Sequence, residues 1–162
     1  MTNNDILLRL RYAFDLKNKE VAEIFALGGA AQTLKDIGNM LIKVGRDEEP
    51  PEYFIAVTND MLEAFLNGFI TYKRGPQPDR KPAPVSQHKD AANNMLLKKV
   101  KIALSFTSED VLDVLDEGGV AVSKGEIGAI LRNPSHRNYQ QCGDRFARCF
   151  LKGLTYRYRE DA

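Results

Sequence analysis

The chain has 162 residues, 43% of them hydrophobic, with 23 lysines and arginines set against 22 aspartates and glutamates for a net charge of +1. That is enough apolar material for a core, and the even balance excludes the one-signed field that draws polyanions from a distance, so charge can speak only through its local distribution. Charges interrupt the first apolar residues of MTNNDILLRLRYAF and no apolar run approaches 18 residues, which predicts a soluble, cytoplasmic protein with no leader and no membrane span.

Residues 3–41 align with 93–131 without a gap, matching at Asn3/Asn93, Asn4/Asn94, Leu7/Leu97, Gly28/Gly118, Gly29/Gly119 and Gly38/Gly128, and FLNGF at 65–69 falls on FLKGL at 150–154. The chain therefore reads as a tandem duplication. The domain expectation is a helical unit over 1–74, a linker over 75–91 and a second helical unit over 92–162, each unit near the lower size limit for folding alone, so that the halves pack together.

The first helix carries Ile6, Leu7, Leu10, Ala13 and Phe14 at helical spacing, and the second carries Val21, Ile24, Phe25 and Gly28. The Gly-Gly pairs at 28/29 and 118/119 supply the left-handed stop for the second helix of each unit. A third helix follows, with Thr33/Asp36 or Ser123/Glu126 at capping-box spacing. The fourth spans about 59–73 and 144–158, with Asn59 and Asp144 as expected caps and Phe65, Phe69, Phe150 and Leu154 on its core face. The mid-helix glycines 38, 128, 68 and 153 cost about 1 kcal/mol each relative to alanine, so close helix contact is expected at all four. No segment alternates as a strand does, and GPQPDRKPAPVSQHKDA reads as an extended proline-rich linker. The expected fold is all-α, two tandem four-helix units.

Two groups of residues carry chemistry. Arg145, Arg148, Lys152 and Arg159 fall at steps of three, four and seven on the last helix, with Tyr156 beside them: a basic stripe able to meet phosphates or an acidic partner, joined by Lys73, Arg74, Arg80 and Lys81 around the linker. Its plainer reading is a solvated face balanced, within the chain or across a homodimer, by Glu109, Asp110, Asp113, Asp116 and Glu117. The second group is the loop NPSHRNYQQCGD, where His136, Tyr139, Cys142 and Asp144 combine a thiol, an imidazole and a carboxylate. The corresponding loop of the first unit has Tyr53 but neither His nor Cys, and the only other histidine, His88, lies in the linker. The expectation is therefore structural: Tyr139 anchors the loop, Cys142 is buried as a small apolar residue and Asp144 caps a helix, with no catalytic site, no metal and no cofactor. Cys142 and Cys149 are two helical turns apart, beyond disulfide reach, and are expected to be reduced. A helix-turn-helix reading of 110–131 fails on its exposed face, where Lys124, Gly125, Gly128, Ala129 and Arg132 offer few groups able to fork onto base edges.

With NNDILLRLRYAF, IFALGG, FLNGFITYKRG and NYQQCGDRFARCFLKGL in this order, the chain resembles the YehS-like family of small bacterial proteins, a domain of unknown function. The resemblance covers nearly the whole chain and implies a bacterial, all-helical protein of two related halves; it brings no site residues. The functional expectation is a non-enzymatic binding or regulatory module acting through helix surfaces, with nucleic-acid binding by the basic stripe as the alternative.

Overall fold

A computed structural model describes residues 1–76 and 90–159. It contains eight helices: α1 (Asn3–Ala13), α2 (Asn18–Leu27), α3 (Leu34–Met40), α4 (Asn59–Arg74), α5 (Ala92–Ala103), α6 (Ser108–Glu117), α7 (Lys124–Leu131) and α8 (Asp144–Tyr158), with no strand among the described residues. The chain is all-α, and α1–α4 repeat as α5–α8. Most of the linker expected at 75–91, including Arg80, Lys81 and His88, lies outside the described residues.

The caps show how closely the copies keep the same local chemistry. Thr2 and Thr107 each accept from the N–H three residues on while Asp5 and Asp110 accept from the Thr2 and Thr107 N–H groups, closing a reciprocal box at α1 and α6. Thr33 and Ser123 accept from Asp36 and Glu126 N–H at α3 and α7. At the last helix of each unit the expected caps move by one: Thr58 accepts from Met61 N–H and Gly143 holds the extended cap position, so Asn59 and Asp144 are first helical residues. The reason is a prior engagement, since both side chains instead accept from Asn3 and Asn93.

Those asparagines belong to a device present in both halves. The Asn4 amide donates to Met40 and Ile55 carbonyls while its oxygen accepts from Val57 N–H, all at 2.9–3.0 Å. Asn94, fully buried, repeats it with Ile130, Gln140 and Cys142. Each amide thereby satisfies the backbone of the irregular segment between third and fourth helices, polar groups that could not otherwise be buried.

The glycines divide by function. A Cβ on Gly68 would lie 1.8 Å from Ile24 O, and one on Gly153 2.1 Å from Val114 O. Across the same crossings, Cβ atoms on Gly28 and Gly118 would lie 1.7 and 1.8 Å from Ala64 O and Cys149 O. Backbone therefore touches backbone where α2 meets α4 and where α6 meets α8. Gly28 and Gly118 serve this contact, and the left-handed stop falls on Gly29 (φ +83°) and Gly119 (φ +108°). At Gly38 and Gly128 the expectation of close contact is wrong, because nothing lies within 4 Å of an added Cβ.

The halves do not sit side by side as closed bundles. The strongest packing of α5 is on α4 of the other unit, and that of α1 is on α8 of the other unit. One continuous core results, running from Ile6 and Phe25 through Phe65 and Leu97 to Phe150 and Leu154. At one end of the α1–α8 contact the Phe14 ring meets the Tyr158 ring at 5.1 Å, centroid to centroid.

Candidate functional site

Packing α1 on α8 leaves a cleft of about 600 Å³ between them. Successive turns of α1 contribute Asp5, Leu8, Arg9 and Tyr12, and α8 contributes Arg148, Cys149, Leu151, Lys152 and Thr155; Lys43, just past α3, and Gly118 complete the lining. Four cations thus surround an apolar strip, with Asp5 the one carboxylate, itself accepting from Thr2 N–H. Among the described residues no carboxylate lies within ion-pair distance of Arg9, Lys43, Arg148 or Lys152.

The repeat provides a second cleft built on the same frame, between α4 and α5, of about 330 Å³. Glu63 stands where Arg148 does, Asn133 where Lys43 does, Ile102 where Tyr12 does, and Lys98 where Leu8 does. Lys98 is paired with Asp90 and lies 5.4 Å from the Tyr139 ring centroid. That cleft is charge-balanced from within; the α1–α8 cleft is not.

The basic stripe is split by the structure. Arg145, Arg148 and Lys152 are exposed, and Lys152 sits 5.8 Å over the half-exposed Tyr156 ring. Arg159 lies beyond the end of α8 in extended backbone, where its guanidinium covers the Tyr12 ring at 3.9 Å and donates to Tyr12 O at 2.8 Å. It fastens the α8 terminus to α1. The acidic α6 packs on α8 within the chain, and its counterion there is Arg157, which donates to both oxygens of Glu117 and holds that carboxyl below its ordinary range. Arg157, which the helical spacing did not place in the stripe, is the internally neutralised cation of α8.

The loop residues each have a separate partner, and no side-chain hydrogen bond joins any two of them. His136 Nδ1 accepts from Asn138 N–H on the surface. Tyr139 donates to Asp90 at 2.8 Å, and burial followed by that bond raises its phenol to about 12. Cys142 is 3% exposed and its thiol is pushed up to about 12, chiefly by burial and then by the Asp144 charge. Asp144 accepts from the Met1 ammonium at 2.8 Å and from Asn93, which hold its carboxyl down. A thiol this far from ionisation at neutral pH is a poor nucleophile or metal ligand. Among the described residues no three His, Cys, Asp or Glu side chains converge to hold a metal ion, and no helix is long and apolar enough to cross a membrane.

Sequence reasoning found Arg148 and Lys152 but not Arg9, Lys43 or Leu8 as their partners, because the cleft is made by a contact between the first and last helices. The signal available was divergence in charge between the copies, with Arg148 against Glu63, Lys43 against Asn133 and Leu8 against Lys98.

Comparison with known proteins agrees with this picture of a duplicated chain. The family model described as "Protein of unknown function (DUF1456)" matches twice, over residues 3–75 and 93–160. The chain is 38% identical over 157 residues to "Uncharacterized protein YehS" of Escherichia coli (strain K12), covering 97% of this chain and 96% of the relative. No solved structure matches it.

Proposed function

The chain belongs to the DUF1456 family, and we propose that it works as a non-enzymatic binding module that takes an anionic ligand or partner on the basic side of α8. One observation carries the reading: where α8 has Arg145, Arg148 and Lys152, the equivalent turns of α4 have Asp60, Glu63 and Asn67. The equivalent helix of the repeat carries no cations at these turns, which supports a role for them beyond the shared fold. The deeply buried, protonated Cys142 and the separately engaged His136 and Asp144 support binding rather than catalysis.

Retention on an immobilised polyanion, heparin, tests it. Charge reversal at Arg145, Arg148 and Lys152 together should abolish salt-sensitive retention, whereas reversal of the exposed Lys17, Lys19 and Lys35, with the same change in net charge, should leave most of it. Equal losses in the two variants would reduce the effect to net charge and remove the proposal. A nucleic-acid ligand is favoured as a second reading by Tyr156, 52% exposed beside these cations, since bases stack on such rings. Binding of a labelled single-stranded oligonucleotide that weakens on Tyr156→Ala would support it. A homodimer would supply the anion from the acidic α6 of a second copy; light scattering on the triple variant would then show a fall in mass.

A further inference from the structure

The α1–α8 cleft differs from a polyanion track in what lies between its cations. Leu8, Leu151, Cys149 and Gly118 form an apolar strip; of the two neutral hydroxyl residues lining the cleft, Thr155 donates to Leu151 O at 2.9 Å, while Tyr12 is half-exposed. One oxygen of Asp5 accepts from Thr2 N–H at the α1 cap. At about 600 Å³ the cleft has the size of a small-molecule site, and an apolar wall with a few convergent charges is the usual composition of one. The α4–α5 cleft supplies the internal comparison: on the same frame, Lys98 stands in place of Leu8 on the wall, and Glu63 in place of Arg148, together with Asp90, offsets the charge of Lys98 and Lys99.

We infer that the α1–α8 cleft is a binding site for a small amphiphilic anion: a phosphate or carboxylate head held by Arg9, Lys43, Arg148 and Lys152, and an apolar body lying along Leu8 and Leu151. The inference rests on the proposed function for its premise that the α8 cations face an anion, and it adds the second half of the ligand. Two chemistries must act together. The charges select the head and hold it at the rim, while each methylene drawn onto the apolar strip adds affinity that a bare phosphate cannot have.

Cys149 provides a native reporter, since it lines this cleft and is partly exposed, while Cys142 is buried and protonated and stays silent. The test measures the rate at which N-ethylmaleimide labels Cys149 in the intact protein, read by mass spectrometry, with alkyl phosphates added below their micelle thresholds. Decyl phosphate should slow labelling saturably by about tenfold or more, and its affinity should rise by roughly two- to fourfold per methylene from hexyl to decyl. Inorganic phosphate and decanol, each carrying half of the chemistry, should protect at least about tenfold more weakly. Lys43→Glu, on an exposed residue outside the helices, should weaken protection with the fold intact; Leu8→Glu should abolish it, provided its far-UV dichroism is native. No protection by decyl phosphate, or equal protection by decanol, would overturn the inference, as would protection by phosphatidylglycerol vesicles without protection by monomeric alkyl phosphate. If heparin retention is lost in the triple charge-reversed variant while decyl phosphate fails, the inference falls and the proposed function stands. If retention is unaffected and decyl phosphate protects the charge-reversed protein equally, both fall.

Discussion

Gly118→Ala should be among the most damaging small substitutions in this protein, and the structure gives the reason in distances. Gly118 has φ −77° and a helical backbone, so alanine suits its conformation and any cost is steric. The new Cβ would lie 1.8 Å from Cys149 O, 2.6 Å from its carbonyl carbon and 3.1 Å from its Cα. All three are backbone atoms of α8, so no rotamer change relieves them, and α8 must retreat from α6 by about 1.5 Å. A gap of 0.5–1 Å already forfeits about a quarter to a half of each contact well, and here it would open along the line of Val111, Val114 and Leu115 against Ala147, Phe150 and Leu154. Overpacking of this kind costs about 3 kcal/mol, less up to about 1 kcal/mol returned by replacing glycine near a helix end. The net loss of roughly 2–3 kcal/mol corresponds to a fall in Tm of about 4–12 °C for a chain of this size. Gly38→Ala is the control. It places a Cβ in open space inside α3 and should stabilise by about 0.5–1 kcal/mol. Urea denaturation of both variants, with unchanged m, measures the pair; shifts of the same sign, or a Gly118→Ala protein as stable as the parent, would refute the backbone-contact account.

Asn94→Ala should cost about 2–4 kcal/mol, because it strands the buried Cys142 N–H and two carbonyls, and a denaturation midpoint within about 0.5 kcal/mol of the parent would contradict the role given to this amide. Alkali should destabilise the protein. Below pH 9 both states keep the protons of Cys142 and Tyr139; as pH rises from the ordinary values of 9.0 and 10.0 toward about 12, the unfolded chain releases them and the folded chain does not, so stability falls across that window. Cys142→Ala and Tyr139→Phe together should flatten the decline seen in melts from pH 8 to 11; an unchanged slope would refute the assignment.

The helices, their repeat and most of their caps were legible because they depend on spacing within a few residues. Gly68 and Gly153 could be read as contact glycines, yet Gly38 and Gly128 carry the same sequence signal without the contact, since periodicity cannot tell which helix face meets another backbone. Asn59 and Asp144 look like caps until Asn3 and Asn93, 56 and 51 positions away, claim their oxygens. The cleft was the least legible feature, because its two walls come from opposite ends of the chain. Half of its charge, Arg148 and Lys152, was visible as a helical stripe; Arg9 and Lys43 acquire their place only when α1 lies on α8.

The pairing of α1 with α8 and of α5 with α4 has a consequence for how such a chain can change. If the same unit assembled as two identical copies about a twofold axis, every substitution in one cleft would appear in the other, and a pair of strongly basic clefts or a pair of neutral ones would be the only choices. Joining the copies in one polypeptide lifts that constraint. One cleft can balance its charge internally, with Lys98 paired to Asp90, while the other carries cations without ion-pair partners among the described residues. Covalent linkage thus allows a symmetric scaffold to carry two clefts of different charge.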